Sequence, residues 1–207
     1  MEQEYKWILD NDEKRKDIID SIFVSKFIKN KLEINMKAIY YDDIYGTMKN
    51  VHGALRKRKQ NEECICCLKI EQKSENNCKK RMEYELKEND IYKALKRFPD
   101  IGAPKELCDK IGKEKLNELC TIEFDRIAYR LQIKDNCILE LSFDNGEMIK
   151  ENNKQKFMEM ELELKSGDEN EFHTYANMLE NKFALKNQPL SKIARAMSLD
   201  KRGDGNV

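Results

Sequence analysis

An α+β fold dominated by strands, an eight-stranded antiparallel β-barrel flanked by helices, is what the 207-residue sequence predicts. Three observations carry the prediction. Residues alternate in character through eight separate stretches, the period of side chains that switch faces along a strand. Few of these stretches are separated by the long crossovers that parallel pairing needs. The charged residues of the alternation fall on one face, and a barrel of about eight strands is just wide enough to hold side chains or one small ligand inside.

"MEQEYK" opens the chain with Glu2, Glu4 and Lys6 on one face and Gln3 and Tyr5 on the other, so a strand is read over Glu2–Leu9. A helix would not give this pattern, because residues two apart there do not face each other. A helical pattern follows over Asp12–Lys31, then strands over Ile34–Asp42, Ala54–Lys59, Glu63–Glu71 and Lys80–Leu86. The last of these repeats the opening as "MEYELK", after a polar turn at Glu75–Asn77. Helices are predicted at Asp90–Phe98 and Pro104–Leu119, and strands at Cys120–Lys134 and Cys137–Ile149, joined by "KDN" at Lys134–Asn136. A further turn at Glu151–Asn153 leads into the strand Lys156–Lys165, which carries the third repeat, "MELELK". Asp168, after Gly167, starts a helix over Asn170–Ala184, and a short one covers Leu190–Met197. The length fits one domain, expected over residues 1–198, with 199–207 as a disordered tail.

Composition narrows the function. The formal charge is zero because 39 basic residues cancel 39 acidic ones, and the missing basic excess speaks against nucleic acid as a partner. No stretch approaches the roughly 18 apolar residues of a membrane span. Seven Cys is an odd number and the first residues are acidic, so a disulfide framework and a secretory leader are both unexpected and a cytoplasmic setting is predicted. "CICC" at Cys64–Cys67 lacks the paired spacing of a zinc site and reads as small apolar residues in a strand. His173 reads as a boundary residue of its helix, and no P-loop or dinucleotide fingerprint occurs.

Strand by strand, one face collects Glu2, Glu4 and Lys6; Arg56 and Arg58; Lys69; Arg81, Glu83 and Glu85; Arg126; Glu140 and Asp144; and Glu159, Glu161 and Glu163. The opposite face is read as Trp7, Leu55, Ile65, Leu68, Leu141, Phe143, Leu162 and Leu164. Alternation alone fits an open sheet with its charged face in water equally well. Segregation favours an interior: carboxylates gather at the two chain ends and on the strand of Asp144, cations in the middle, where simple solubility would mix the signs. Like charges held in a desolvated space repel, so a ligand is implied. Clustered carboxylates suit Mg²⁺ or Mn²⁺, and clustered Arg and Lys suit phosphates, so a short polyanion with its metals would neutralise both sets.

The opening Glu2-x-Glu4-x-Lys6 resembles the ExExK signature of the CYTH family, the triphosphate tunnel metalloenzymes. The similarity continues in order through "YYDD" at Tyr40, "GALRKRK" at Gly53, "CLKI" at Cys67, "RMEYEL" at Arg81, "FDRIAYRL" at Phe124, "LSFDNGEM" at Leu141, "EMELELKSGD" at Glu159 and "SKIARAM" at Ser191. The resemblance implies an eight-stranded tunnel acting on a triphosphate-containing small molecule with a divalent metal. By position, Glu2, Glu4, Asp144, Glu159, Glu161 and Glu163 match the metal ligands, Glu159 and Glu161 being favoured in the last run and Glu163 supporting. Lys6, Arg56, Arg58, Lys69, Arg126 and Lys192 match the phosphate-binding set, to which Arg81 and Arg195 are added. Glu2, Glu4, Lys6, Arg58 and Lys69 are the expected catalytic residues. Asp43 stands where the family often has Thr, and Glu83 with Glu85 reads as an orienting pair partnered by neighbouring cations.

The implied activity is metal-dependent hydrolysis of a triphosphate, with inorganic triphosphate favoured because few aromatics are placed to clamp a base. A class IV adenylyl cyclase, a thiamine triphosphatase and a non-catalytic polyphosphate-binding module are the alternatives. Trp7 falls on the face opposite Glu4 and is expected to pack under a helix. Glu4 itself is expected to destabilise the empty barrel, sitting among other carboxylates.

Overall fold

A computed structural model of the protein describes residues 2–71, 78–134 and 136–199. Eight strands, β1 (Glu2–Ile8), β2 (Ile28–Asp42), β3 (Gly53–Gln60), β4 (Glu63–Glu71), β5 (Lys79–Lys87), β6 (Asn117–Lys134), β7 (Cys137–Lys150) and β8 (Asn153–Ser166), pair in the order β5-β4-β3-β2-β6-β7-β8-β1. Each neighbouring pair is antiparallel, and β1 returns to β5 through Glu2↔Arg81 and Glu4↔Lys79, so the sheet closes into a barrel. A short β9 (Lys186–Asn187), which alternation does not announce, extends the sheet beside Trp7 and Ile8.

Helices cover the outside. α1 (Asp12–Asp20) starts where Asn11 Oδ1 accepts the Lys14 amide, and α5 (Glu169–Phe183) starts where Asp168 accepts that of Glu171. Between them and the wall lies a core of Tyr5, Trp7, Ile18, Leu139, Leu141, Phe143, Leu162, Phe172 and Leu179. Trp7 is fully buried there and donates to Glu180 at 2.8 Å, as its parity requires. α3 (Ile91–Arg97) and α4 (Lys105–Gly112) cover Leu55, Cys66 and Leu68 with Leu95, Phe98 and Ile111. A one-turn α2 (Thr47–Asn50) and a five-residue α6 (Lys192–Ala196) complete the described helices.

The inner face changes character along the barrel. At one end Met36, Ala38, Ile122, Phe124, Met148 and Phe157 form a third apolar cluster, sealed by Ala196 and Leu199. Beyond it the interior is charged. The wall is tightest at Gly146, where a Cβ would lie 2.0 Å from the Glu123 carbonyl oxygen and 2.4 Å from Phe124 Cβ.

Two helix expectations are corrected. The pattern read as a helix to Lys31 stops at Asp20, and β2 already begins at Ile28, because Ile28–Glu33 pairs with Ile127–Leu131 of β6. Likewise α4 ends at Gly112, and Asn117 enters β6 opposite Asp42. A third correction concerns parity: Ile65 shares a face with Lys69 and lines the interior rather than the helix-covered side. Asp43 faces its own loop, accepting from the Tyr45 and Thr47 amides and the Thr47 hydroxyl. The expected turn at Glu75–Asn77 and residues 200–207 of the expected tail lie outside the described residues.

Candidate active site

One face of each strand delivers the predicted residues into a cavity of about 610 Å³. Glu2, Glu4 and Lys6 enter from β1, Arg56 and Arg58 from β3, Lys69 from β4, Arg81 from β5, Arg126 from β6, Glu161 and Glu163 from β8, and Lys192 from α6. Asp144 of β7 and Glu159 of β8 sit just behind this lining, each only 1% exposed, and Arg195 of α6 reaches Glu159. Closure of the sheet puts β1 between β8 and β5, so acids from the chain ends meet cations from its middle.

The deepest cluster is Asp144, Glu159 and Glu161, which can present oxygens within 4.8 Å of one another. Strand register explains it, since Asp144 is opposite Glu159 and Glu161 opposite Lys6. Arg126 donates to both oxygens of Asp144 at 2.7 and 2.8 Å and to Glu161 at 2.5 Å. Lys192 Nζ lies 2.7 Å from Asp144 and 2.8 Å from Glu161, and also contacts Glu159. Burial would raise the Glu161 carboxyl, but Lys192, Lys6 and Arg126 outweigh it and hold the group well below its ordinary value. Burial would likewise depress the Lys192 ammonium, and the three carboxylates raise it instead.

Glu2 and Glu4 do not join that trio. Glu2 accepts from Lys69 at 2.9 Å, and its carboxyl is raised because burial outweighs Lys69. Glu4 accepts from Arg81 at 2.6 Å and lies 3.7 Å from Lys6. Burial and Glu161 work against its charge, yet Lys6, Arg81 and Lys69 bring it down to about 2. The expectation that Glu4 is stranded among carboxylates is therefore overturned: its negative charge is favoured without any ligand. Glu163 is set apart with Lys165 at 2.8 Å, and burial pushes it up to about 7. Glu83 contacts Lys69 at 3.0 Å and Arg56 at 3.5 Å, while Glu85 contacts Arg58 at 3.1 Å, the orienting arrangement read from their spacing.

A divalent cation fits the Asp144, Glu159 and Glu161 group by donor chemistry, three carboxylates being hard oxygen ligands of the kind Mg²⁺ and Mn²⁺ take. Glu159 Oε1, fully buried, faces the Lys192 ammonium and lies 3.9 Å from that of Lys6, so cations of the chain itself stand where a metal ion would. A second trio, Cys67, Glu83 and Glu85, carries a thiol that burial pushes up to about 12, so it offers a neutral sulfur and suits a hard cation less.

Two features escaped sequence reasoning. Lys79 lines the cavity with no ion-pair partner among the described residues, and burial with the charges of Lys6 and Arg81 brings its ammonium down to about 8. It shares a face with Arg81 and was missed because the strand was begun one residue late. Leu32, Ile34, Met36 and Ile65 form an apolar wall facing the charged one. His173 meets the Tyr5 hydroxyl at 3.0 Å outside the barrel. No helix among the described residues is long and apolar enough to cross a membrane.

Comparison with known proteins places this geometry. The family model for the CYTH domain matches residues 1–197. Among solved structures, a proposed adenylyl cyclase from Hippeastrum, HpAC1, described as having a dominant triphosphatase activity, is 18% identical with a TM-score of 0.65 over 96% of each chain. A proposed adenylate cyclase of Bacillus halodurans is 17% identical with a TM-score of 0.58, covering 93% of this chain and 95% of that one. The PH1819 protein of Pyrococcus horikoshii is 19% identical with a TM-score of 0.59, covering 98% of this chain and 100% of that one. A search of curated proteins finds no match.

Proposed function

The chain belongs to the CYTH family, and on that premise we propose that it hydrolyses a triphosphate in a reaction dependent on Mg²⁺ or Mn²⁺, with inorganic triphosphate as its substrate. One observation carries the reading: a single cavity lined by an array of Arg and Lys has a compact carboxylate trio at its wall, Glu161 in the lining with Asp144 and Glu159 directly behind. Phosphate binding alone would need the cations and not the acids. Arg56, Arg58, Lys69 and Arg81 project from the adjacent strands β3, β4 and β5, and Arg126 from β6, and together they can hold the phosphates of a linear chain, Arg through its planar fork and Lys as a point charge. Asp144, Glu159 and Glu161 would hold the metal, while Glu2, Glu4 and Glu163 line the same cavity apart from that trio. When bound, the metal offsets charge on the phosphate oxygens and polarises the bond to be broken. Arg126 and Lys192 line the cavity beside that trio and can turn to stabilise negative charge growing on the departing phosphates.

The apolar wall supports a second reading, since Leu32, Ile34, Met36 and Ile65 leave a surface for an organic group on the triphosphate. A class IV adenylyl cyclase or a thiamine triphosphatase would use it so. One panel separates these: inorganic triphosphate, ATP and thiamine triphosphate, each with Mg²⁺, Mn²⁺ or chelator, with phosphate, pyrophosphate and cyclic AMP quantified. Metal-dependent phosphate release from inorganic triphosphate, with little cyclic AMP from ATP, is the expected result. Dominant cyclic AMP formation would overturn it.

A further inference from the structure

Lys192 occupies the centre of the carboxylate trio. Its ammonium contacts Asp144, Glu159 and Glu161 together, and all four groups are buried. These are the oxygens that lie close enough to share one cation. A divalent ion binding there needs them at roughly 2.0–2.6 Å, and like charges at such spacing repel strongly in a desolvated site. The ammonium and the metal therefore exclude each other. Arg126 and Arg195 bind the same acids from the sides, so the cluster is already fully compensated by cations of the chain itself.

Resting on the reading of the site as a triphosphatase, we propose that Lys192 is a built-in substitute for the metal, and that the species the site accepts is the preformed metal–triphosphate chelate rather than the bare ion. A bare divalent cation must expel Lys192 from three carboxylates at once and offers the ammonium no acceptor in return. A triphosphate entering with the metal supplies new acceptors for the ammonium as it leaves the carboxylates. Lys192 sits on the five-residue α6, which is held to the barrel by Ile193 and Ala196 against the apolar cluster, by Arg195 on Glu159 and by the Lys192 ammonium over Phe124 at 5.2 Å.

The test measures Mn²⁺ binding by titration calorimetry and electron paramagnetic resonance, with and without diimidotriphosphate, whose bridging NH groups resist hydrolysis. Coupling between the two in wild type is necessary but not distinctive, since Mn²⁺ chelates triphosphates anyway. The distinctive result is with the bare ion. Lys192→Met should bind Mn²⁺ alone roughly tenfold to a hundredfold more tightly than wild type, the ordinary range for a coupling of this kind, whereas Lys192→Arg should keep wild-type weakness. Amide exchange gives an independent reading on unaltered protein: Mn²⁺ alone should leave exchange across α6 unchanged, and Mn²⁺ with the analogue should slow it. Equal Mn²⁺ affinity in wild type and Lys192→Met, or α6 exchange altered by the bare ion as much as by Mn²⁺ with the analogue, overturns the proposal while leaving the triphosphatase reading standing. Failure of wild type to bind Mn²⁺ or the analogue in any combination overturns both.

Discussion

Replacing Glu4 by Gln keeps the side chain's shape and removes its charge. In the ligand-free barrel that charge is anchored by Arg81 at 2.6 Å and Lys6 at 3.7 Å, and the carboxyl is held at about 2 instead of its ordinary 4.5. A depressed acid stabilises the folded state at pH values above its unfolded value, by at most about 3 kcal/mol here at roughly 1.4 kcal/mol per tenfold change. The amide oxygen can still accept from Arg81, so we expect Glu4→Gln to cost about 2 kcal/mol at pH 7, lowering Tm by roughly 4–8 °C for a chain of this size. The sign also fixes the pH dependence. Stabilisation by Glu4 is present above pH 4.5 and fades as pH falls toward 2, so the gap between the two melting curves should narrow between neutral pH and pH 3. Thermal melts of both proteins across that range, without metal or phosphate, provide the assay. A variant that melts at or above wild type at pH 7 would refute the view that the empty site is internally neutralised.

Three further outcomes follow from the same geometry. Arg58→Ala should raise KM for triphosphate at every metal concentration, whereas Glu161→Gln should recover part of its activity in excess Mn²⁺; steady-state kinetics over a metal titration separate them, and equal rescue would undo the division of roles. Lys79→Met should raise Tm in the empty protein, because an ammonium without an acid partner is removed, and should raise KM; a lower Tm would contradict that placement. Gly146→Ala forces a methyl group against the backbone of β6 and should cost more than about 3 kcal/mol, read as lost soluble yield or a collapsed denaturation midpoint.

What the sequence disclosed was parity. Glu2, Glu4 and Lys6 could be assigned to the inside and Trp7 to the outside because a strand offers only two directions, and every predicted site residue shares a face with the cavity or lies directly behind it. What it hid was pairing at a distance. Lys29–Glu33 is largely exposed and shows no apolar alternation of its own; it is a strand because Ile127–Leu131 lies alongside. Asn117–Leu119 was absorbed into a helix for the same reason. The ion pairs were equally illegible, since nothing in "SKIARAM" tells that its Lys meets three carboxylates from β7 and β8.

The closure of the barrel has a consequence for how the protein is made. β1 leaves the ribosome before its partner β8, yet Ile8 pairs with Glu159 and Lys6 with Glu161. At about 5–20 residues per second, the intervening stretch of about 150 residues takes roughly 8–30 s to synthesise. Until β5 is made Glu2–Ile8 has no barrel partner, and from then until β8 emerges it has only a three-residue seam, so the nascent sheet stays open. The charged inner face of β1 then serves a second purpose: Glu2, Glu4 and Lys6 make a waiting strand a poor template for intermolecular pairing, so the residues that complete the cavity also keep the unfinished chain soluble.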